Sequence, residues 1–206
     1  MTAPSKPLGP KLSLVKGDGP TDEQLLAAFA QGDSQALGAF FERHRTAVYR
    51  VGLRFSGHRE DALELTQKTF LHALSGARRK LPSPAADGVP LRAWLLRIAV
   101  NLSKNFVRDA GKRPQASLEA VDAQAVNAVT PEVLVARTQL QALARAAVKD
   151  LSPRQQEVFA LRVDGELSFA EVAQALGLTE GNAKVHFHYA VKALTVAVRA
   201  AAGESP

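Results

Sequence analysis

The sequence predicts an all-α protein made of two small helical domains joined by a flexible linker. Three observations predict this class. Apolar residues recur at three- and four-residue spacing along most of the chain, helix-start signals repeat, and no strand alternation of useful length appears. Aromatic residues are only 6% of the 206, so the cores should be aliphatic helix packing. The length suits one medium domain or two small ones.

Residues 1–20 combine Pro, Gly and Lys without the apolar stretch of a signal peptide and read as a flexible N-terminal arm. The first domain is expected over 21–108. Thr21 and Gln24 make a capping-box pattern, and Leu25, Leu26 and Phe29 give a short apolar face before Gly32. A second helix follows Asp33 or Ser34, with Leu37, Phe40, Phe41, Val48, Val51 and Phe55 at helical spacing up to Gly57. A third runs from about Arg59 to Leu74, with Ala62, Leu65, Thr69, Phe70 and Ala73 facing inward. Ser75 to Pro90 is rich in Pro and Gly and is expected to be irregular. Pro90 fits the first turn of a fourth helix, on which Trp94, Leu95, Ile98, Leu102 and Phe106 should form a core stripe. Arg97, Asn101, Lys104, Arg108 and Lys112 are expected on the opposite, cationic side.

Periodicity fades over 109–130, the expected linker. A second domain over 131–202 opens at Thr130-Pro131 and repeats the start signals at Ser152-Pro153 with Gln155, and at Ser168 with Glu171.

Composition excludes several functions. With no cysteine there is no disulfide, zinc ribbon, thiol nucleophile or iron–sulfur cluster. No apolar run approaches the roughly 18 residues that a membrane span needs, so no membrane insertion is expected and the location should be cytoplasmic. No phosphate-binding GxxxxGK[ST] loop and no dinucleotide fingerprint is present. No catalytic residue set and no cofactor is expected. The net charge of +6 is compatible with a polyanionic partner.

Leu167 to Leu194 has helix-turn-helix spacing. Ser168 caps a helix through about Leu176, Gly177 supplies the turn, and Thr179 caps a second helix. Ala173 and Ala183 are small where the two must cross. Such a unit presents its second helix to the major groove; an ordinary helical hairpin is the plainer alternative. His186 and His188 lie about 200° apart on that helix, so they cannot chelate one metal unaided. Neither has a nucleophile or carboxylate at relay spacing. His186 beside Lys184 fits a base or phosphate contact. On the fourth helix, Arg97, Lys104 and Arg108 could neutralise phosphates, while the amides of Asn101 and Asn105 could read base edges. Trp94 is either core or a stacking platform, with its apolar neighbours favouring core.

Three blocks, Leu25 to Leu74, Trp94 to Arg113 and Val148 to Leu194, together resemble a bacterial extracytoplasmic-function sigma factor, and the likeness extends from about Asp22 to Ala200. The resemblance implies a region 2-like domain of four helices that binds core RNA polymerase and melts the −10 promoter element. It also implies a region 4-like helix-turn-helix domain that reads the −35 element. On this resemblance Asp61, Glu64, Gln67 and Lys68 should dock on the β′ coiled coil of the polymerase. Lys68 stands where the family usually carries an acidic residue. Arg97, Asn101, Lys104, Asn105 and Arg108 should contact −10 DNA, with Asn101 at a flipped base. Thr179, Glu180, Gly181, Asn182, Lys184 and His186 match the −35 recognition positions. The β flap and an anti-sigma factor are further expected partners. Two rivals remain: a sigma-like regulator acting by protein–protein contact, and a stand-alone helix-turn-helix regulator that binds duplex DNA by itself.

Overall fold

The computed structural model describes residues 19–79, 89–110, 146–148 and 150–201. Every helix among them is amphipathic or short, and no strand occurs among the described residues. Most of the N-terminal arm, residues 80–88, Lys112, most of the linker and the start of the second domain at Thr130-Pro131 lie outside the described residues.

Helix α1, Asp22–Ala30, begins with the expected capping box: Gln24 N–H donates to Thr21 Oγ1, and Thr21 N–H donates to Gln24 Oε1 at 2.8 Å. Helix α2, Ser34–Ser56, is capped by Asp33, whose Oδ1 accepts from the backbone of Gln35 and Ala36. It stops at Gly57, which has φ 77°, a left-handed conformation that costs glycine little. Helix α3, Arg59–Arg79, continues past Leu74, where the sequence suggested that order ends. Gly76 alone weakens a helix by only about 1 kcal/mol, no proline intervenes before Pro82, and Ser75 Oγ donates back to His72 O at 2.9 Å. Helix α4 spans Leu91–Ala110.

Helices α1 to α4 surround a core of Leu25, Leu26, Phe40, Val48, Val51, Phe70, Leu95 and Val100. Phe40 meets Phe70 edge-on at 6.3 Å. The side of α4 that is buried differs from the expected stripe. Leu91, Leu95, Leu96, Ala99, Val100 and Ser103 are buried, whereas Trp94, Ile98, Leu102 and Phe106 are half-buried. The cause is a second covering layer: α4 packs on α2 and α3 and also on the second domain.

The second domain holds a short helical piece at 146–148, then α5, Pro153–Phe159, with Pro153 at its first turn and a Ser152–Gln155 capping box. Helix α5 runs into a π-turn, Ala160–Asp164, closed by Gly165 N–H donating to Ala160 O at 2.9 Å. Helix α6, Phe169–Leu176, starts from the Ser168–Glu171 capping box and ends at Gly177 with φ 65°. Helix α7 spans Glu180–Ala201. Ala173 and Ala183 are buried in the α6–α7 pair as their size suggested. Phe187 lies between Phe159 and Phe169, with ring centroids 6.0 and 5.5 Å away.

The π-turn places the second domain on the first. Arg54 Nε and Nη2 donate to Asp164 Oδ2 and Oδ1 at 2.6 and 2.8 Å, and Arg50 Nη1 donates to Glu166 Oε1 at 2.9 Å. Arg92 Nη2 donates to Gly165 O at 2.8 Å. A single hydrophobic cluster joins Leu96 and Val100 of α4 to Leu161, Leu167 and Val172.

Gly165 has no room for a side chain: a Cβ there would sit 2.7 Å from Leu161 O and 2.9 Å from Leu96 Cδ1. Gly165→Ala should therefore destabilise the chain by about 1–3 kcal/mol in urea unfolding, since backbone cannot yield as a side-chain tip would.

Asp22 offers a pH test. Burial alone would raise its carboxyl pKa, but hydrogen bonds and charge attraction from His44 (2.8 Å) and Arg43 (2.7 Å) outweigh burial and hold it below the usual carboxylate range. A depressed folded pKa means stability that is present above the unfolded value and lost as pH falls through the folded one. Asp22→Asn should cost about 1–3 kcal/mol at pH 7, and its gap to the wild type should close as pH falls below 3.8. Urea melts at pH 7, 5 and 3 measure this.

Candidate nucleic-acid interface

The fourth helix carries the residues to which the sequence assigned one nucleic-acid surface. Arg97, Asn101, Asn105 and Arg108 are exposed along one side of α4. Trp94, seven residues before Asn101, shares that side rather than facing away from it, because seven residues make nearly two full turns. Trp94 is half-buried and packs on the core cluster. The i, i+7 spacing of Trp94 and Asn101 was the available signal.

Lys104 is set apart from this group. It is half-buried and its Nζ is ion-paired with Glu157 on α5. The Glu157 carboxylate is only 7% exposed and also accepts from Arg154 Nη1 at 2.8 Å. Sequence periodicity put Lys104 with the other cations of α4, but a partner 53 residues away has no local signature.

In the second domain the recognition-type helix α7 begins at a Thr179 cap, whose Oγ1 accepts from Asn182 N–H at 3.2 Å. Glu180, Gly181, Asn182 and Lys184 are exposed, and Lys184 pairs with Glu180 at 2.7 Å, one turn back. His186 is half-buried. Ala183, Phe187 and Ala190 turn toward the core, which leaves Val185, His188, Tyr189 and Lys192 on the outer side with Gly181. Val185 and Tyr189 are 52% and 54% exposed. Counting 100° per residue from buried Ala183 and Ala190 would have found this face.

A third group lies on α3. Glu64, Gln67 and Lys68 are exposed and Asp61 is half-buried. Lys68 Nζ pairs with Glu64 Oε1 at 2.5 Å, so its charge is balanced within the helix. Leu63 and Leu71, one turn to either side of Gln67, are 53% and 58% exposed. The sequence reading passed over both because it sought charge on this face. An apolar pair flanking polar residues on an open helix side suits a protein partner more than DNA.

Among the described residues no cluster of three or more His, Asp or Glu side chains could hold a metal ion. Among them, too, no helix is long and apolar enough to cross a membrane.

Comparison with known proteins agrees with the two-domain division. The family model for sigma-70 region 2 matches residues 40–113, and that for sigma-70 region 4 matches residues 141–194. The chain is 32% identical over 172 residues to the ECF RNA polymerase sigma factor BldN of Streptomyces coelicolor, covering 83% of this chain and 63% of the relative. It is 30% identical over 175 residues to the ECF RNA polymerase sigma factor SigE of Mycolicibacterium smegmatis, covering 82% of this chain and 66% of the relative. The chain thus spans a little under two thirds of the length of these two relatives. A similar fold occurs in the sigma factor RpoE of Bartonella quintana, solved in complex with the anti-sigma factor NepR: the TM-score is 0.59 at 18% identity, covering 80% of this chain and 98% of that one. With matched region 2 and region 4 domains in the order that the three sequence blocks suggested, the chain belongs to the extracytoplasmic-function sigma factors of the sigma-70 family.

Proposed function

We propose that this protein is a transcription initiation factor that binds core RNA polymerase and directs it to promoters, without catalysing a reaction itself. The observation that carries this reading is the pairing of two different surfaces on one region 2 domain with a helix-turn-helix on the other. One surface is the α4 side with Arg97, Asn101, Asn105 and Arg108; the other is the α3 face with Leu63, Glu64, Gln67, Lys68 and Leu71. A stand-alone helix-turn-helix regulator has no need of the first domain.

In this reading the α3 face, with Asp61 at its edge, docks on the polymerase β′ coiled coil, and the second domain meets the β flap. Lys68 does not present a bare positive charge to the polymerase, because Glu64 pairs with it. A basic residue where the family usually carries an acidic one would favour the rival regulator that acts only by protein–protein contact, and this pairing weakens that argument. The α4 side holds the −10 strand: Arg97, Arg108 and, when released from Glu157, Lys104 contact phosphates, while Asn101 and Asn105 meet bases beside the partly open Trp94 ring. Helix α7 enters the major groove at the −35 element through Thr179, Glu180, Gly181, Asn182 and Lys184. The outer side chains Val185, His188, Tyr189 and Lys192 lie closer to the groove than half-buried His186. Val185 is suited to contact a thymine methyl group. The complex of RpoE with NepR supports an anti-sigma factor as a further partner of this chain. The protein would act in the cytoplasm, where the polymerase is.

Run-off transcription with core polymerase and promoter fragments tests the reading. Core plus this chain should yield a transcript that core alone does not. A folded chain that fails to bind core would refute it, and tight duplex binding without core would favour the stand-alone regulator.

The phosphate assignments have their own test. Arg97→Ala and Arg108→Ala should each reduce the log–log salt slope of promoter binding by the holoenzyme by roughly one unit. An unchanged slope would return those residues to an ordinary solvated face.

A further inference from the structure

The outer side of α7 is not uniform. At about 100° per residue, counted from buried Ala183 and Ala190, its exposed side chains separate into two edges. Asn182, Val185 and Tyr189, spaced i, i+3 and i+7, fall within about 60° of each other. Lys184, His188 and Lys192, spaced i, i+4 and i+8, fall within about 80°. All six are exposed. The first edge carries an amide and two open apolar side chains, and the second carries basic groups alone. They meet where the Tyr189 ring stands at 70° to the His188 ring, 5.9 Å away.

The basic edge is placed for phosphates rather than base edges. Lys184 Nζ pairs with Glu180 Oε1 at 2.7 Å and lies 5.9 Å from the ring centroid of Phe169 on α6. Both contacts hold it on the side of α7 that faces α6. The first helix of a helix-turn-helix crosses the DNA backbone, and the N-terminal part of the second reads bases. Lys192 lies about 18 Å along the axis from Glu180, past that reading part. Guanine is read most often by a bidentate arginine. The one arginine of α7 is Arg199, in its last turn.

The other edge has the chemistry of A·T pairs. An asparagine amide pairs with N6 and N7 of adenine, and apolar side chains meet the thymine 5-methyl group. From Asn182 to Tyr189 the rise is about 10 Å, or about three base-pair steps of 3.4 Å. Gly181 lies between the two edges. A Cβ there would meet nothing nearer than Thr179 Oγ1 at 4.0 Å, so packing does not require glycine at this position. Its bare backbone allows the helix to approach a ligand closely.

We propose that Asn182, Val185 and Tyr189 make this chain specific for a short run of A·T pairs in the −35 element, read mainly through thymine 5-methyl groups. Lys184, His188 and Lys192 hold the phosphates of one strand beside it. The inference rests on the sigma-factor reading for the place of α7 on DNA and adds to it the class of sequence recognised.

The test uses the full chain with core polymerase. Binders selected from randomised duplexes should share, in their upstream element, a run of about four A·T pairs. Each thymine of that run is then replaced singly by deoxyuridine, which removes only the 5-methyl group. Wild-type holoenzyme should bind at least about threefold more weakly when either of two such thymines is replaced. Val185→Ala should bind thymine and uracil alike at one of these positions and Tyr189→Ala at the other, each staying sensitive at the remaining one. Both side chains are exposed, so circular dichroism should show each variant as helical as wild type, and the wild-type measurement needs no variant. G·C pairs throughout the selected upstream element, or wild-type binding unmoved by every deoxyuridine, would overturn the methyl reading and leave the sigma-factor reading intact. Variants that keep the full wild-type sensitivity at both positions would overturn the assignment to Val185 and Tyr189. A folded chain that neither binds core nor selects any sequence would refute the sigma-factor reading and this inference with it.

Discussion

The bidentate pair of Arg54 and Asp164 is the constraint on which the arrangement of the two domains depends. Its geometry is set by backbone on both sides. Arg54 comes from the last turn of α2, just before the left-handed Gly57, and Asp164 from the end of the π-turn. Burying a carboxylate and a guanidinium this far is costly unless both are well hydrogen-bonded, and here both donors of the fork are satisfied. The apolar layer of Leu96, Val100, Leu161, Leu167 and Val172 then excludes water beside the pair. Arg54 also lies 5.1 Å over the Phe159 ring, which fixes the guanidinium plane from a third direction. Charge specifies the docking and apolar area strengthens it.

Local rules made most of the elements legible in the sequence. Capping boxes at Thr21, Ser152 and Ser168, and the glycine stops at Gly57 and Gly177, depend only on residues within one turn, and the structure forms each of them. The helix-turn-helix followed from the same signals. The end of α3 was missed because glycine and distant prolines were weighed as a block, although one Gly76 is tolerable in a run containing Ala77, Arg78 and Arg79.

What was not legible depends on distance along the chain. The buried side of α4 was misjudged because part of its covering comes from residues 158–172, which no helical wheel of α4 contains. Lys104 shows the same limit at a proposed contact position: its type and spacing are those of a phosphate contact, while its present partner is Glu157. His186 and the outer residues of α7 were a different matter. Both histidines were compared with each other, whereas comparison with buried Ala183 and Ala190 places His188, not His186, on the open side. The exposed Leu63 and Leu71 escaped notice because an apolar residue on a helix is normally assigned to a core.

The internal pairing of Glu64 with Lys68 has a thermodynamic consequence for the α3 face. With those charges cancelling across one helical turn, the face presents little net field, and Leu63 and Leu71 supply most of what a partner could gain there. Association through such a face would depend weakly on ionic strength and would lower the heat capacity as apolar surface leaves water. Two contacts of opposite thermodynamic character would then coexist on one small domain: a nearly salt-independent one on α3, and a strongly salt-dependent one on α4.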